Sequence, residues 1–354
     1  MSIKLSTVTL TIASLAVACA PTKRSYHKAI PANDIEKIVY YGSLAGSSHN
    51  TQPWKVSIPS DSCIYIYPDF NRQLKVVDPY ARGVFISLGA FTENAIVSAK
   101  EMGYDCNLEL NRNFTKGDYF AKLNITNKTR YKPLHKEILG RRTLRSEFCT
   151  KEIDDSDMAV LLKNTNAKYV SHSSTIGMFI KHNTLNAYRK QNEDTLVQEE
   201  LTAWLRFSDR DALKHRDGLS TSGMEINGFA GFIVKHLFKP NFAKKKSFVE
   251  KGIAKTTDQV EHCAGWILIS QKEDTPEAWF DTGRVYERIN LRCKNLMIGF
   301  HPMNQIVEIP SYESALNSII GEDGYVQFVA RVGYVKSYPP PVSLRRNIND
   351  LIIK

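Results

Sequence analysis

Residues 47–54 read SSHNTQPW, and residues 141–145 read RRTLR. The first is a polar loop whose small hydroxyl and amide side chains can bind a polyol chain or the polar edge of a heteroaromatic ring. The second places forked guanidinium donors at the start of a helix, and both of these features favour a phosphate. Together they predict a site for a phosphorylated ligand with a polar tail and a flat ring. Alone, the first could be an ordinary loop around a core Trp54, and the second a solvated basic turn.

The residues around these segments alternate between helical and strand patterns. Apolar spacing predicts helices over 34–44 and 83–102, and later over 176–190, 195–207, 257–271 and 282–298. Alternating or continuous apolar runs predict strands at WKVSI (54–58), CIYIYP (63–68), 106–110, 119–125 and 325–334. We therefore predict an α+β fold of two loosely repeated halves, over residues 34–135 and 136–346.

Composition excludes several classes of protein. The chain has 354 residues, of which 42% are hydrophobic and 24% charged, values that are typical of globular proteins. This composition excludes a disordered chain, a collagen and a multi-span membrane protein. The net charge of +10 leaves nucleic acid, anionic lipid or a phosphate-bearing ligand open as partners.

The first residues have the pattern of an export signal. Lys4 precedes an uncharged stretch, residues 5–18, which is too short to span a bilayer but suits a signal-peptide core. Small residues before Cys19 resemble a bacterial lipobox, although Leu15 stands one position further from the cysteine than usual. We predict a signal peptide over 1–19, a lipid anchor at Cys19 and a tether over 20–33. The protein would then be an exported, membrane-anchored lipoprotein of a bacterial cell envelope.

As a pair, the two opening segments resemble the hallmark loops of the FMN-binding nitroreductases, Ser-x-x-Asn-x-Gln-Pro-Trp and Arg-Arg-Ser/Thr-x-Arg. Members of that family are α+β homodimers that bind FMN at the subunit interface. Here the order of the two loops is reversed, which resembles the Acg-like branch, where one chain fuses two degenerate halves into a pseudo-dimer. Residues 78–105, HRDGL (215–219) and QFVARVGY (327–334) resemble further landmarks of that branch.

The resemblance implies one FMN per chain, bound between the halves of a monomer that mimics a dimer. The Arg turn would hold the phosphate, the ribityl chain and the pyrimidine edge, and the first loop would complete the site. A C-terminal arginine pair would lie near the phosphate, and the GFHPMNQ loop (299–305) would face the flavin N5. The predicted cofactor-binding residues are Ser47, Ser48, Asn50, Arg141, Arg142, Thr143, Arg145, Met303, Asn304, Arg345 and Arg346.

The implied activity is ping-pong electron transfer through FMN, from a small-molecule donor to a nitroaromatic or quinone-like acceptor. The flavin would carry this chemistry, so no catalytic side chain is assigned. We expect no metal site, because no His or Cys spacing typical of zinc sites occurs. As an alternative, the family's lid, here near 220–250, would cover the flavin of a binding or sequestering protein without nicotinamide-dependent activity.

The segment 235–255 is basic and aromatic, with seven Lys against one Glu and with Phe238, Phe242 and Phe248 interleaved. This pattern is compatible with a solvated surface, a lid, single-stranded nucleic acid or an anionic membrane. We predict no nucleic-acid partner.

Overall fold

The structure, a computed structural model, describes residues 30–126, 135–321 and 324–353. The predicted signal peptide, the lipid anchor at Cys19 and most of the tether lie outside these residues and stay predictions. Within the described ranges, no helix combines the length and the apolar character needed to cross a bilayer.

The described chain combines helices with antiparallel sheets, and the predicted α+β class is confirmed. The helices are α1 (Asp34–Gly42), α2 (Arg82–Glu101), α3 (Lys136–Gly140), α4 (Asp155–Leu161), α5 (Thr175–Glu193), α6 (Thr195–Ala203), α7 (Asp209–His215), α8 (Gly228–Leu237), α9 (Lys246–Glu261), α10 (Pro276–Cys293), α11 (Gln305–Glu308) and α12 (Pro310–Ile320). The strands are β1 (Trp54–Ser60), β2 (Cys63–Pro68), β3 (Asp105–Leu110), β4 (Ala121–Thr126), β5 (Lys168–Ser171), β6 (Leu205–Arg206), β7 (Leu219–Ser220), β8 (Gly265–Gln271), β9 (Ile298–Pro302) and β10 (Tyr325–Tyr334). Short 3-10 turns lie at Ser48–Asn50, Phe70–Arg72, Pro240–Lys244 and Ile348–Asp350.

The strands form two separate four-stranded antiparallel sheets. The first has the order β1-β2-β4-β3, and the second has the order β5-β8-β10-β9. The two-residue strands β6 and β7 pair in parallel outside both sheets. Each sheet is therefore built from one part of the chain, the first from residues 54–126 and the second from residues 168–334.

The long helices α2 and α10 join the two sheets and pack closely against each other. A methyl group added to Gly89 of α2 would overlap the carbonyl oxygen of Phe280, and one added to Gly283 of α10 would overlap that of Ile86. Each helix thus supplies a glycine where the other's backbone approaches it. Glu93 of α2, almost fully buried, also accepts hydrogen bonds from two arginines of α10.

One apolar core runs through this helix pair into both sheets. It includes Ile64 and Leu123 from the first sheet, Phe280 from α10, and Ile267 and Phe300 from the second sheet. A second cluster lies on the other face of the second sheet, around Trp266. Because the main core is continuous, residues distant in sequence are held in fixed positions around it.

The predicted helix over 257–271 is wrong. Helix α9 ends at Glu261, and residues 265–271 (GWILISQ) form β8, the strand between β5 and β10. The first five of these residues are buried, so their apolar run has no alternation that would mark a strand. The predicted helix over 282–298 also differs, because α10 begins at Pro276 and ends at Cys293, before β9.

The C-terminal residues return to the first sheet. The Val56 N–H donates to the Leu351 carbonyl at 2.9 Å, and the Ile353 N–H donates to the Val56 carbonyl at 2.8 Å. Arg345 and Arg346, just before this contact, are therefore brought beside the loop of residues 47–54.

Candidate functional site

A cavity of about 1070 Å³ lies between the elements of the two sheets, under α8 and the 3-10 turn Pro240–Lys244. This volume lies just above the range of about 300–1,000 Å³ that is usual for ligand sites. Ten of the eleven predicted cofactor-binding residues line it: Ser47, Ser48, Asn50, Arg141, Arg142, Thr143, Arg145, Met303, Asn304 and Arg345.

The eleventh residue, Arg346, does not line the cavity. Its guanidinium donates to the carbonyl oxygens of Gln52, Trp54 and Asp350. These hydrogen bonds join the C-terminal segment to the start of β1. Arg346 therefore stabilises the fold and is not part of the cavity wall.

The loop of residues 47–54 has a strained backbone. His49, Asn50 and Gln52 have φ values of 49°, 54° and 54°, in the left-handed region that non-glycine residues seldom adopt. Asn50 is held by three contacts, because its amide donates to the carbonyls of Gly218 and Leu344 and its oxygen accepts from Arg345. These contacts fix the loop against the second part of the chain and hold its hydroxyl groups at the cavity.

Arg141 and Arg345 are both buried and converge on the carbonyl of Leu44, at 2.9 and 3.1 Å. Arg141 also forms an ion pair with Glu287 of α10, with Nε and Oε1 3.1 Å apart. Glu287 is fully buried, and burial raises its pKa, while the charge of Arg141 acts in the opposite direction. The first Arg of the turn is thus anchored by a carboxylate that sequence reasoning missed.

Arg142 and Arg145 contact a second unpredicted carboxylate, Glu225. The Arg142 guanidinium lies 2.7 Å from one carboxylate oxygen, and the backbone N–H of Arg145 donates to the other at 3.0 Å. Glu225 has a φ of 57° and lies three residues before α8. Its carboxylate therefore occupies donors that could otherwise bind an anion.

His301 lies between two guanidinium groups. Its Nδ1 is 3.0 Å from Nε of Arg331, and its Nε2 is 2.7 Å from Nη1 of Arg145. A neutral imidazole accepts at only one nitrogen, so one guanidinium must face a ring N–H. Lys255 also lines the cavity and donates to the Met224 carbonyl. This wall is rich in positive charge, and backbone carbonyls such as those of Gly223 and Gln259 accept from its guanidinium groups.

Met303 and Asn304 use their side chains for the fold. Met303 is buried in the second apolar cluster, and the Asn304 amide oxygen accepts the Val329 N–H of β10. The predicted role, in which the backbone of this loop faces the ligand, is compatible with these positions. The residues that the sequence analysis did not assign to the site are Glu225, Lys255, Glu287 and His301. Glu225 and Glu287 lie in no quoted motif, whereas His301 lies inside the GFHPMNQ loop and Arg331 inside the QFVARVGY segment.

The buried histidine predicts a loss of stability in mild acid. Burial, with the charges of Arg145, Arg331 and Lys255, holds the pKa of His301 well below 6.5. Between its folded pKa and 6.5 the unfolded chain binds the extra proton, so stability is present above about pH 6.5 and falls below it. We expect urea unfolding at pH 7.5 and 5.5 to show this loss, and His301→Gln to reduce it. An unchanged pH dependence in that variant would contradict this cause.

A comparison with known proteins agrees with the resemblance of residues 47–54 and 141–145 to nitroreductase loops. A Serratia protein named "Probable NAD(P)H nitroreductase PigM" is 21% identical over 320 residues, covering 84% of this chain and 88% of its own length. This similarity supports a relationship to the nitroreductases. No protein-family model matches the sequence.

Two solved structures are also similar. The FMN-dependent nitroreductase NfnB from Mycobacterium smegmatis, determined in complex with NADPH, aligns with 11% identity and a TM-score of 0.38, covering 61% of this chain and 94% of that one. A nitroreductase-like family protein from Bacillus cereus aligns with 14% identity and a TM-score of 0.32, covering 63% of this chain and 95% of that one.

Proposed function

We propose that this protein is an FMN-binding oxidoreductase of the nitroreductase type. The observation that carries the proposal is the convergence of Arg141, Arg142, Arg145 and Arg345 with the polar loop of residues 47–54 on one large cavity. Guanidinium forks bind phosphate and polarise carbonyl edges, and the loop supplies hydroxyl groups for a ribityl chain. The similarity to PigM supports this activity class.

The donor set fits an anionic cofactor. The Nε of Arg142 is buried without a hydrogen-bond partner among the described residues, and one of the two guanidinium groups beside His301 faces a ring N–H. An anion at this wall would accept from the unpaired Nε of Arg142 and from the guanidinium that now faces the ring N–H of His301. Unpaired buried donors are costly, so binding there would relieve a penalty of the folded chain.

In the proposed reaction FMN would supply the transfer of hydride and electrons. The chain's part is to bind and orient it. Arg141, Arg142, Thr143 and Arg145 would together hold the phosphate, the ribityl chain and the pyrimidine edge. Arg345, which donates to the carbonyls of Ser43, Leu44 and Ala45, would keep the first loop beside them. A guanidinium beside the ring edge would favour a negatively charged reduced form. The aromatic residues Phe238 and Phe242 of the cavity wall would exclude water.

We also propose that residues 34–135 and 136–346 are two degenerate halves of a pseudo-dimer that binds one FMN and works as a monomer. The reciprocal glycine contacts of α2 and α10 support this interpretation, because each helix lies in the part of the chain that builds a different sheet. A small electron donor and a nitroaromatic or quinone-like acceptor would use the same cavity in turn.

A second candidate is a protein that binds FMN without nicotinamide-dependent turnover. The observation that favours it is the cover over the cavity, where Phe238 stacks on Phe242 at 3.7 Å between ring centroids and Phe248 packs beside them. Glu225, paired with Arg142, joins this cover to the Arg turn. A cover held in this way would leave less room for a second ligand.

The test is the visible absorption spectrum of the purified full chain, recorded before and after anaerobic addition of NADPH. We expect a flavin band that NADPH bleaches. A band bleached only by dithionite would favour the second candidate, and no band after FMN is added back would overturn both. Arg142→Gln should lose the flavin, and so should Arg142→Gln/Glu225→Gln, which leaves no unpaired carboxylate. Arg346→Gln, outside the cavity, should retain it.

A further inference from the structure

Helix α8 presents its apolar side chains outward. Phe229, Phe232 and Leu237 are 79%, 56% and 73% exposed, whereas Gly231 and Val234 on the opposite face are buried. At 100° per residue, the three exposed side chains lie on one side of the helix, with Ile233 and His236 between them. We call this set, Phe229, Phe232, Ile233, His236 and Leu237, the outer stripe of α8.

The outer stripe is the reverse of what a surface helix normally shows. A surface helix buries its apolar side and exposes its polar side, and contiguous exposed apolar groups mark sites of contact with a partner or a membrane. Ring contact between Phe232 and His236, 4.5 Å between centroids, keeps the stripe continuous along the helix. Nothing in the described part of the chain covers it.

Lysine side chains follow the stripe at its C-terminal end. Residues 235–255 contain seven Lys and one Glu, and Lys239, Lys244, Lys245 and Lys246 are exposed. Lys246 has 91% of its side chain accessible, and its contact with Glu250 is 3.9 Å long. The region therefore joins an apolar strip to a surface of strong positive charge.

We propose that the outer stripe of α8 and the lysines of residues 239–246 dock on the surface of a membrane that contains anionic lipid. Apolar side chains on an interfacial helix enter the boundary between headgroups and acyl chains, and nearby Lys side chains bind the anionic headgroups. The charge of the lysines and the outward direction of the stripe both match such a surface. This inference does not depend on FMN or on the proposed activity.

Two other occupants fit less well. Single-stranded nucleic acid needs free aromatic faces for base stacking. Here Phe238 stacks on Phe242, Phe248 meets Phe242 edge to face, and Phe238 and Phe248 pack against a buried cluster under α8. A second copy of the chain would cover the apolar stripe, but it would bring a second molecule of net charge +10, with the same lysines, rather than anionic groups. The like charges would oppose that contact unless an anion lay between them.

The experiment places a tryptophan in the stripe of the full chain. Phe232→Trp is mixed with phosphatidylcholine vesicles with or without phosphatidylglycerol, and quenching by brominated acyl chains is measured. We expect quenching that appears with the anionic lipid and weakens as salt rises. Val160→Trp, at a 49% exposed apolar position of α4, is the matched control and should not be quenched. The chain has four tryptophans of its own, so quenching is read as the difference from the parent chain. That difference reports on position 232, and binding through residues 1–29 alone would not mimic it.

Two further variants separate the contributions. Lys244→Gln/Lys245→Gln/Lys246→Gln should weaken vesicle binding by about fivefold per lysine. Phe229→Ser, added to Phe232→Trp, shortens the apolar stripe and should remove most of the quenching seen with Phe232→Trp alone. The proposal is overturned if the tryptophan introduced by Phe232→Trp is not quenched, or if that of Val160→Trp is quenched equally. A lipid-free dimer would also overturn the proposal. Light scattering would detect it, and the tryptophan of Phe232→Trp would then be buried between the two copies and not be quenched by vesicles.

Discussion

An Arg141→Met variant should lose about 3–5 kcal/mol of unfolding free energy, because it would leave the carboxylate of Glu287 buried without its partner. Arg141 and Glu287 are 5% and 0% exposed, and 3.1 Å separates Nε from Oε1. Urea unfolding followed by far-ultraviolet circular dichroism would measure the change.

The control is the double variant Arg141→Met/Glu287→Gln, which removes both charges. Replacing a buried ion pair by neutral groups is often close to neutral for stability, so the double variant should be more stable than the single one. If the single and double variants unfold at the same urea concentration, the ion pair with Glu287 is not the source of the stability that Arg141 provides. The double variant is also the control for flavin retention, because unfolding of the single variant would release flavin whether or not Arg141 contacts it.

Gly89→Ala and Gly283→Ala should each lower the unfolding free energy by about 1–3 kcal/mol or more, since overpacking forces backbone shifts. The added methyl groups would overlap the carbonyl oxygens of Phe280 and Ile86, which a change of rotamer cannot move. Thermal unfolding would give the ranking of these variants against the parent protein.

The matched control is Gly252→Ala in α9, where the added methyl group would meet only the side-chain end of Tyr188. Alanine favours a helix over glycine, so Gly252→Ala should be neutral or stabilising. The double variant Gly89→Ala/Gly283→Ala should cost less than the sum of the single costs, because one separation of α2 and α10 accommodates both methyl groups. Simple additivity would contradict a shared crossing point.

Local patterns in the sequence were enough to predict much of the scaffold. Helix α2 matches its predicted span to one residue at each end, and β10 covers the predicted residues 325–334. Both follow from apolar spacing within a short window. The strand β8 could not be found in this way, because a strand whose residues are nearly all buried has the same apolar run as a buried helix segment.

The site was harder to predict than the scaffold. Ten of the predicted residues line one cavity, and they were predicted from family motifs rather than from apolar spacing. Glu225, Glu287 and His301 were missed because each acts through a partner far away in sequence, such as Arg142 or Arg141. No local pattern encodes such a pairing. Arg346 was predicted together with Arg345, but only Arg345 lines the cavity, whereas the Arg346 side chain contacts the backbone of Gln52 and Trp54.

The return of the C-terminal residues to β1 affects the order in which the chain can fold. The bond from Arg345 Nε to the Ser43 carbonyl joins residues 302 positions apart. During synthesis the N-terminal sheet emerges long before that partner exists, and closing so long a loop is slow. The wall formed by residues 43–50 therefore stays incomplete on the ribosome. The cavity can be closed, and a ligand retained, only after translation of the C-terminal segment is finished.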